Sequence, residues 1–525
     1  MKSLKPLCNR LFVLSIWILI TACQSKTYKV TDNSYSGLLT VFHDFDRLRQ
    51  PKVVDGIPDY SATAMEAQLD SVKILQAKLS RMDTANWRKD QQIDYRLMEA
   101  HLHGLEFNHT IMHRWSSDPA YYSTIGWFNP TMEGALYLPH LPIPEKQLQI
   151  FRSRIEALPG ILAAAKKNLT QMTPDLAQLG IKRKLWEEER FKEWLPQLAV
   201  TYSDLKVPVN AAINAIIDFR KWLEEKKPAL SGTSGIGIEN YNWLLKNVYL
   251  SPYSWEQCIT ITQRELERSL ALLKLEEFKN RNLPPLPIID HQAQFDSLHL
   301  AGQEWLIQFI RNNDILPQPD FLVTKGSGGW SRPNGRNFFE NILDRDPLPL
   351  LPHDMVGHSP DAQREEMWNT PPFPRAYDPF YVSGTRAEAL ATGMEEILMN
   401  MGMLDQRPRS RELTYMLRIF RAIRALADLR MHSNEFTLEQ AMTYAMKTVP
   451  YGWYNQNTYL IWEEMDLYLR QPGYGVGYLM GSVQLEQLIS RQSMKLADKF
   501  EFKKFMEDFL KPGLIPISMI EWTME

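Results

Sequence analysis

The chain has 525 residues, 44% hydrophobic and 23% charged, with 33 Pro, 25 Gly and 3 Cys, an ordinary globular balance that excludes disorder, collagen and a disulfide scaffold. Fifty-nine Lys plus Arg against 62 Asp plus Glu leave a formal charge of -3. No long basic block concentrates a positive field, so nucleic acid is not an expected partner.

In chain order, Lys2, Lys5 and Arg10 precede the apolar run LFVLSIWILI and then Thr21-Ala22-Cys23, a charged start, a short greasy stretch and a small-residue site. The run is too short for a membrane span of ~20 residues. The pattern is an export signal, and the cysteine after the small residues resembles the lipobox of bacterial lipoproteins. Cys23 is then the expected lipidated residue, with residues 1–22 a signal peptide and 23–33 a polar tether. Gln24, not Asp, follows the cysteine. By resemblance to bacterial sorting signals this favours the outer membrane. The expected membrane contact is the lipid anchor alone.

Leu69, Val72, Leu75 and Leu79 recur at helical spacing, as do Met98, Leu102 and Leu105. Further helices are expected over 145–172, 184–199, 208–226, 254–280, 290–312, 386–403, 409–431, 437–447 and 481–509, whereas runs alternating with period two are few. The fold class is all-α, a two-lobed helical bundle with a central groove. Gly232, Gly235 and Gly237 mark residues 231–240 as a hinge loop between an N-terminal lobe, 34–230, and a C-terminal lobe, 241–525. A second glycine-rich stretch, Lys325 to Trp330, lacks the spacing of a phosphate cradle and reads as a turn.

The segment Leu351-Pro352-His353-Asp354-Met355-Val356-Gly357-His358 carries the chemistry, with Glu388 and Glu395 on a later helix. A hydrolytic zinc site needs three N or O ligands, an open position for water and a carboxylate to take the water's proton. His353, His358 and Glu388 fit the ligand roles, and Asp354 the base. Histidines five apart are ~140° from each other on a regular α-helix, too splayed for one ion. A π-bulge, which absorbs one extra residue, would bring them together, and Gly357 is placed to permit it. Glu395, two turns after Glu388 on the same face, would steady a ligand histidine or form an interhelix salt bridge.

Motifs along nearly the whole mature chain resemble the bacterial family called domain of unknown function 885, an all-helical group similar to zinc metallopeptidases of the gluzincin kind. Pro58-Asp59-Tyr60-Ser61, Asp94-Tyr95, Asp118-Pro119-Ala120-Tyr121-Tyr122, Leu244 to Val248 and Pro252-Tyr253-Ser254 resemble its opening and middle segments. His353 to His358 stands for its H-E-x-x-P-G-H, one residue shorter and with Asp for Glu. Glu388 to Glu395 stands for its E-G-W-A-L-Y-x-E with both terminal acids kept. Asp428 to His432, Pro472 to Gly481 and Pro512 to Pro516 resemble its closing motifs. The resemblance implies His353, His358 and Glu388 as metal ligands. Tyr478 and His432 are the expected hydrogen-bond donors to an oxyanion.

The expected activity is that of a lipid-anchored zinc metallohydrolase, a peptidase acting on short peptides. The alternative is a catalytically inactive peptide-binding lipoprotein of the same fold, and a third reading, from 15 Trp and 21 Tyr, is a glycan-capturing lipoprotein. Arg386 and Arg470 are candidates to receive a substrate carboxylate. His101, His103, His109 and His113 read as structural, and the methionines from Met394 to Met403 as core filler. Nothing in the sequence sets the oligomeric state.

Overall fold

Apolar residues at spacings of three and four dictate helices, and helices fill the structure. The computed structural model describes residues 33–525 except 55–56, 124–140, 318, 333–334, 370–371 and 457–458. Cys23, the signal peptide and nearly all of the expected tether lie outside the described residues. Among those described, the extended structure comprises one short antiparallel pair, Val53–Val54 with Ile57–Pro58. The all-α expectation holds.

The local signals explain most boundaries. The helix Trp255–Lys279 starts at Ser254, whose hydroxyl accepts from Gln257 N while the Gln257 side chain accepts from Ser254 N, a reciprocal cap. Pro408 opens Pro408–His432, where its missing N–H costs nothing. The stretch expected as one helix over 481–509 is two helices, Tyr474–Leu496 and Phe502–Leu510. They are separated at Ala497, whose φ of 47° no continuing helix adopts.

Burial divides into two cores. One gathers Ile155, Leu158, Phe191, Leu198, Val209 and Phe219 from the helices Glu145–Asn168, Pro174–Thr201 and Lys206–Lys226. The larger one joins Leu38, Val72 and Leu97 near the start of the described chain to Leu266, Leu398, Phe420 and Leu485. The helices Tyr35–Arg49, Ala62–Leu79 and Lys89–Phe107 thus pack with the C-terminal half, and the division between cores does not coincide with residues 231–240. That loop is strapped down: Gly235 N donates to Asn434 Oδ1 at 2.9 Å and Gly237 N to the His432 carbonyl at 2.8 Å.

Three long helices set the frame for the site: Gly384–Asn400, Pro408–His432 and Tyr474–Leu496. Gly481 lets the first and third touch, since a Cβ there would lie 2.3 Å from the Thr385 carbonyl oxygen. Pro408–His432 is buried almost all round, yet carries Arg418, Arg421 and Arg424 at spacings of three, all buried. Each meets an acid: Arg418 pairs with Glu265 and Glu396, Arg421 with Glu395, and Arg424 with Glu464. Buried guanidiniums without such partners would carry a desolvation cost of several kcal/mol. No helix among the described residues is long and apolar enough to cross a membrane.

Candidate metal centre

His353 to His358 forms a π-helical turn, followed without a break by the helix Ser359–Trp368. The wider turn accommodates the extra residue between the histidines, and their rings stand 4.8 Å apart, edge to face. Gly357 matters here for contact, not for backbone freedom. A Cβ on it would sit 2.5 Å from Ala391 Cα, so glycine lets the turn lie directly on the helix that carries Glu388.

That approach assembles three ligand-type atoms. Glu388 Oε2 lies 3.9 Å from His353 Nε2 and 3.7 Å from His358 Nε2. Among the described residues His353, His358 and Glu388 form a group whose ligand atoms all lie within 4.8 Å of one another. Zinc held at its usual bond lengths separates tetrahedral ligands by ~3.4 Å, so small side-chain adjustments close the gap. Glu388 is buried, its Oε1 accepts from the Tyr474 hydroxyl at 3.4 Å, and its Oε2 has no hydrogen-bond partner. An orphaned carboxylate oxygen facing two imidazole nitrogens is a donor set suited to zinc. Burial raises the Glu388 carboxyl above its ordinary range, opposed by the charges of His358, Arg421 and Arg424.

Glu395 lies against both a histidine and an arginine of another helix. Its Oε1 lies 3.1 Å from His353 Nδ1 and 2.5 Å from Arg421 Nη2. His353 Nδ1 also lies 3.2 Å from Arg421 Nη2, a group that only donates, so this nitrogen meets both guanidinium and carboxylate while Nε2 faces Glu388. Arg421 also donates to Thr392 Oγ1, which fixes the guanidinium behind the acid. Burial pushes the Glu395 carboxyl upward, and the Arg421 charge pulls against it.

The other expected site residues are placed as follows. Asp354 is exposed, its carboxylate 3.1 Å from Lys325 Nζ and 2.8 Å from Ser359 Oγ, and it does not line the cavity described below. Lys325 comes from the glycine-rich stretch, which is therefore more than a plain turn: it is held to Gln303 through both Lys325 N and O. His432 is fully buried, its Nε2 2.9 Å from the Tyr468 carbonyl oxygen and its ring beside Tyr241, and it is not part of the cavity wall. Burial lowers it to about 4, so it is neutral near pH 7. The packing makes it a fastening between helices, not a donor to substrate. Tyr478, by contrast, lines the cavity, with the Arg424 guanidinium 4.3 Å over its ring.

That cavity, about 670 Å³, reaches His353 and is walled by aromatic rings such as Phe107, Trp186, Phe380 and Tyr468 together with several arginines. Its size is within the ordinary range for a small-ligand pocket. Arg386 lies elsewhere, buried against Asp361. Arg470 does line the cavity but is paired with Asp118 at 2.7 Å. Arg421, Tyr474 and Lys325 escaped the sequence reading. The signal for the first was present: Arg418, Arg421 and Arg424 recur at one helical spacing between the apolar residues Met416 to Leu426, and such a row requires buried acids opposite.

Residues 391–524 match the model of a family described as "Bacterial protein of unknown function (DUF885)". The matched stretch holds Glu395, Arg421, Tyr474 and Tyr478, and begins just after Glu388. Two solved structures share the fold. One, described as "a putative lipoprotein of unknown function from Shewanella oneidensis", is 18% identical with a TM-score of 0.71, over 94% of this chain and 99% of that one. The other, "the putative lipoprotein from Colwellia psychrerythraea", is 16% identical with a TM-score of 0.64, over 93% and 97%. No curated protein matches the sequence.

Proposed function

We propose that this chain is a lipid-anchored, zinc-dependent hydrolase of the gluzincin kind, a peptidase for short peptides, attached at the cell envelope and most simply at the outer membrane. The observation that carries the proposal is the orphaned Glu388 Oε2 facing His353 Nε2 and His358 Nε2 across a π-turn. The lipobox around Cys23, and the lipoproteins of the same fold, support the anchor.

In this reading His353, His358 and Glu388 hold the ion, Glu395 and Arg421 back the His353 ring, and Tyr474 restrains the second Glu388 oxygen. Zinc there supplies a Lewis acid for a carbonyl and acidifies water toward neutral pH. Asp354, beside the first ligand, accepts the proton of the attacking water, for which Lys325 and Ser359 must give up its carboxylate. Tyr478 donates to the oxygen that becomes negative. The cavity wall holds the peptide and excludes water from the side chains flanking the cleaved bond.

The second reading is a peptide-binding lipoprotein without catalysis. It is favoured by one observation: Asp354 is occupied by Lys325 and Ser359 on the exposed flank. The separating experiment follows cleavage of short unblocked peptides by the metal-loaded protein. Cleavage stopped by a chelator and restored by zinc supports the peptidase. Binding without cleavage, at one zinc per chain, supports the second reading.

A further inference from the structure

The cavity wall carries the guanidiniums of Arg114, Arg183, Arg421, Arg424 and Arg470 and the carboxylates of Asp378, Glu463, Glu464 and Asp466. Arg114 Nε, Arg421 Nη1, Arg424 Nε, Arg470 Nη2, Asp466 Oδ1 and the Tyr381 and Tyr468 hydroxyls are buried in it without a hydrogen-bond partner. Of the four cavity guanidiniums with an unpartnered nitrogen, one differs from the rest. Arg421, Arg424 and Arg470 each pair with a carboxylate, whereas Arg114 has none among the described residues. Its Nη2 donates to the Arg470 carbonyl oxygen at 2.7 Å, a neutral acceptor, and the residue, part-buried overall, lines the cavity. Burial and then the nearby Arg470 charge disfavour the protonated form of Arg114, and the Asp118 charge, beyond ion-pair distance, opposes them. A guanidinium stays charged at neutral pH, so one that lines a cavity with no carboxylate at ion-pair distance is a position for an anion from outside. A carboxylate matches the guanidinium fork in shape and charge.

We propose that Arg114 receives the C-terminal carboxylate of a bound peptide, with the chain of that peptide running along the aromatic wall toward His353. The inference rests on the peptide-binding part of the proposed function, and it assigns the substrate class: peptides with a free C-terminus, held by their end. It does not need zinc or cleavage. Arg114 is in this account a positioning residue for the substrate, on the short helix Arg114–Ser117, remote in sequence from every candidate metal ligand.

The test uses the full chain freed of metal by a chelator, so that no peptide is cut, and titration calorimetry with three probes: tri-alanine, tri-alanine amide, and the amide of Ala-Asp-Ala. The expected result is that tri-alanine binds roughly 10- to 100-fold more tightly than its amide. Arg114→Met removes that preference and Arg114→Lys keeps part of it. Working without metal separates this inference from the metal site, because the preference does not depend on zinc. Equal affinity for acid and amide, a preference that survives Arg114→Met, or no binding of any probe overturns the proposal. Tight binding of the Ala-Asp-Ala amide also overturns it, by assigning the site to an acidic side chain. Unchanged far-ultraviolet circular dichroism and melting of Arg114→Lys establish that the variant protein is folded.

Discussion

Glu395 and Glu388, two turns apart on one helix, face the two nitrogens of a single imidazole: Glu395 Oε1 is 3.1 Å from His353 Nδ1, and Glu388 Oε2 is 3.9 Å from His353 Nε2. Orientation of the ring is thereby fixed from behind while its ligating nitrogen faces the site. Glu395→Gln is expected to lower zinc affinity by ~10- to 100-fold, since an amide cannot replace the carboxylate charge that holds Arg421 behind the His353 ring. Competition with a metal-sensitive chelator measures it. Unchanged affinity would make Glu395 an ion-pair partner of Arg421 only.

Gly357 sets how closely the π-turn lies on the Glu388 helix. Gly357→Ala forces a Cβ to within 2.5 Å of Ala391 Cα, which the two backbones relieve only by moving apart. A loss of ~1–3 kcal/mol in unfolding free energy is expected, together with weaker zinc binding. Denaturant titration and zinc titration of the same variant test both effects.

Asp354→Asn is predicted to keep the zinc content and to reduce kcat by ~10²–10⁴, the usual contribution of a positioned base. Metal analysis beside steady-state rates on a short peptide checks it. An unaltered rate would transfer the base role elsewhere and leave Asp354 as the partner of Lys325.

His432→Ala removes the ring nitrogen that meets the Tyr468 carbonyl in a fully buried place. The prediction is a stability loss of ~1–3 kcal/mol with zinc affinity unchanged. Thermal melting and zinc titration separate the two. A folded His432→Ala protein with a large fall in kcat would restore the catalytic assignment.

Stability should fall in mild acid, in part through His101. Its ring is buried between Phe45 and Tyr377, its Nδ1 has no partner, and burial lowers its pKa to about 3. A depressed histidine contributes stability above its unfolded pKa of ~6.5 that is lost as pH falls toward the folded value. The loss attributable to this residue is about 2 kcal/mol between pH 7.5 and pH 5. His101→Phe should leave stability at pH 7.5 within ~1.5 kcal/mol and flatten the decline below pH 6.5, as read by urea unfolding across that range.

The helices were legible because their apolar spacing is a local property, and the π-turn because five-residue histidine spacing admits few other ways of converging. Glu388 and Glu395 were legible for the same reason, two turns on one face. What escaped depends on segments distant in the chain. Lys325 reaches Asp354 from a loop earlier in the chain, His432 is closed off by the Tyr468 carbonyl, and Arg114 stands in the cavity because the first helices pack with the C-terminal half. The break at Ala497 was missed because apolar residues continue on both sides of it at helical spacing.

The most direct test of the account is zinc stoichiometry by elemental analysis of the soluble chain without its first 24 residues, dialysed against micromolar free zinc, beside His353→Ala. The account predicts about one zinc per chain, abolished in the variant. A metal-free parent, or zinc retained after His353→Ala, would contradict it.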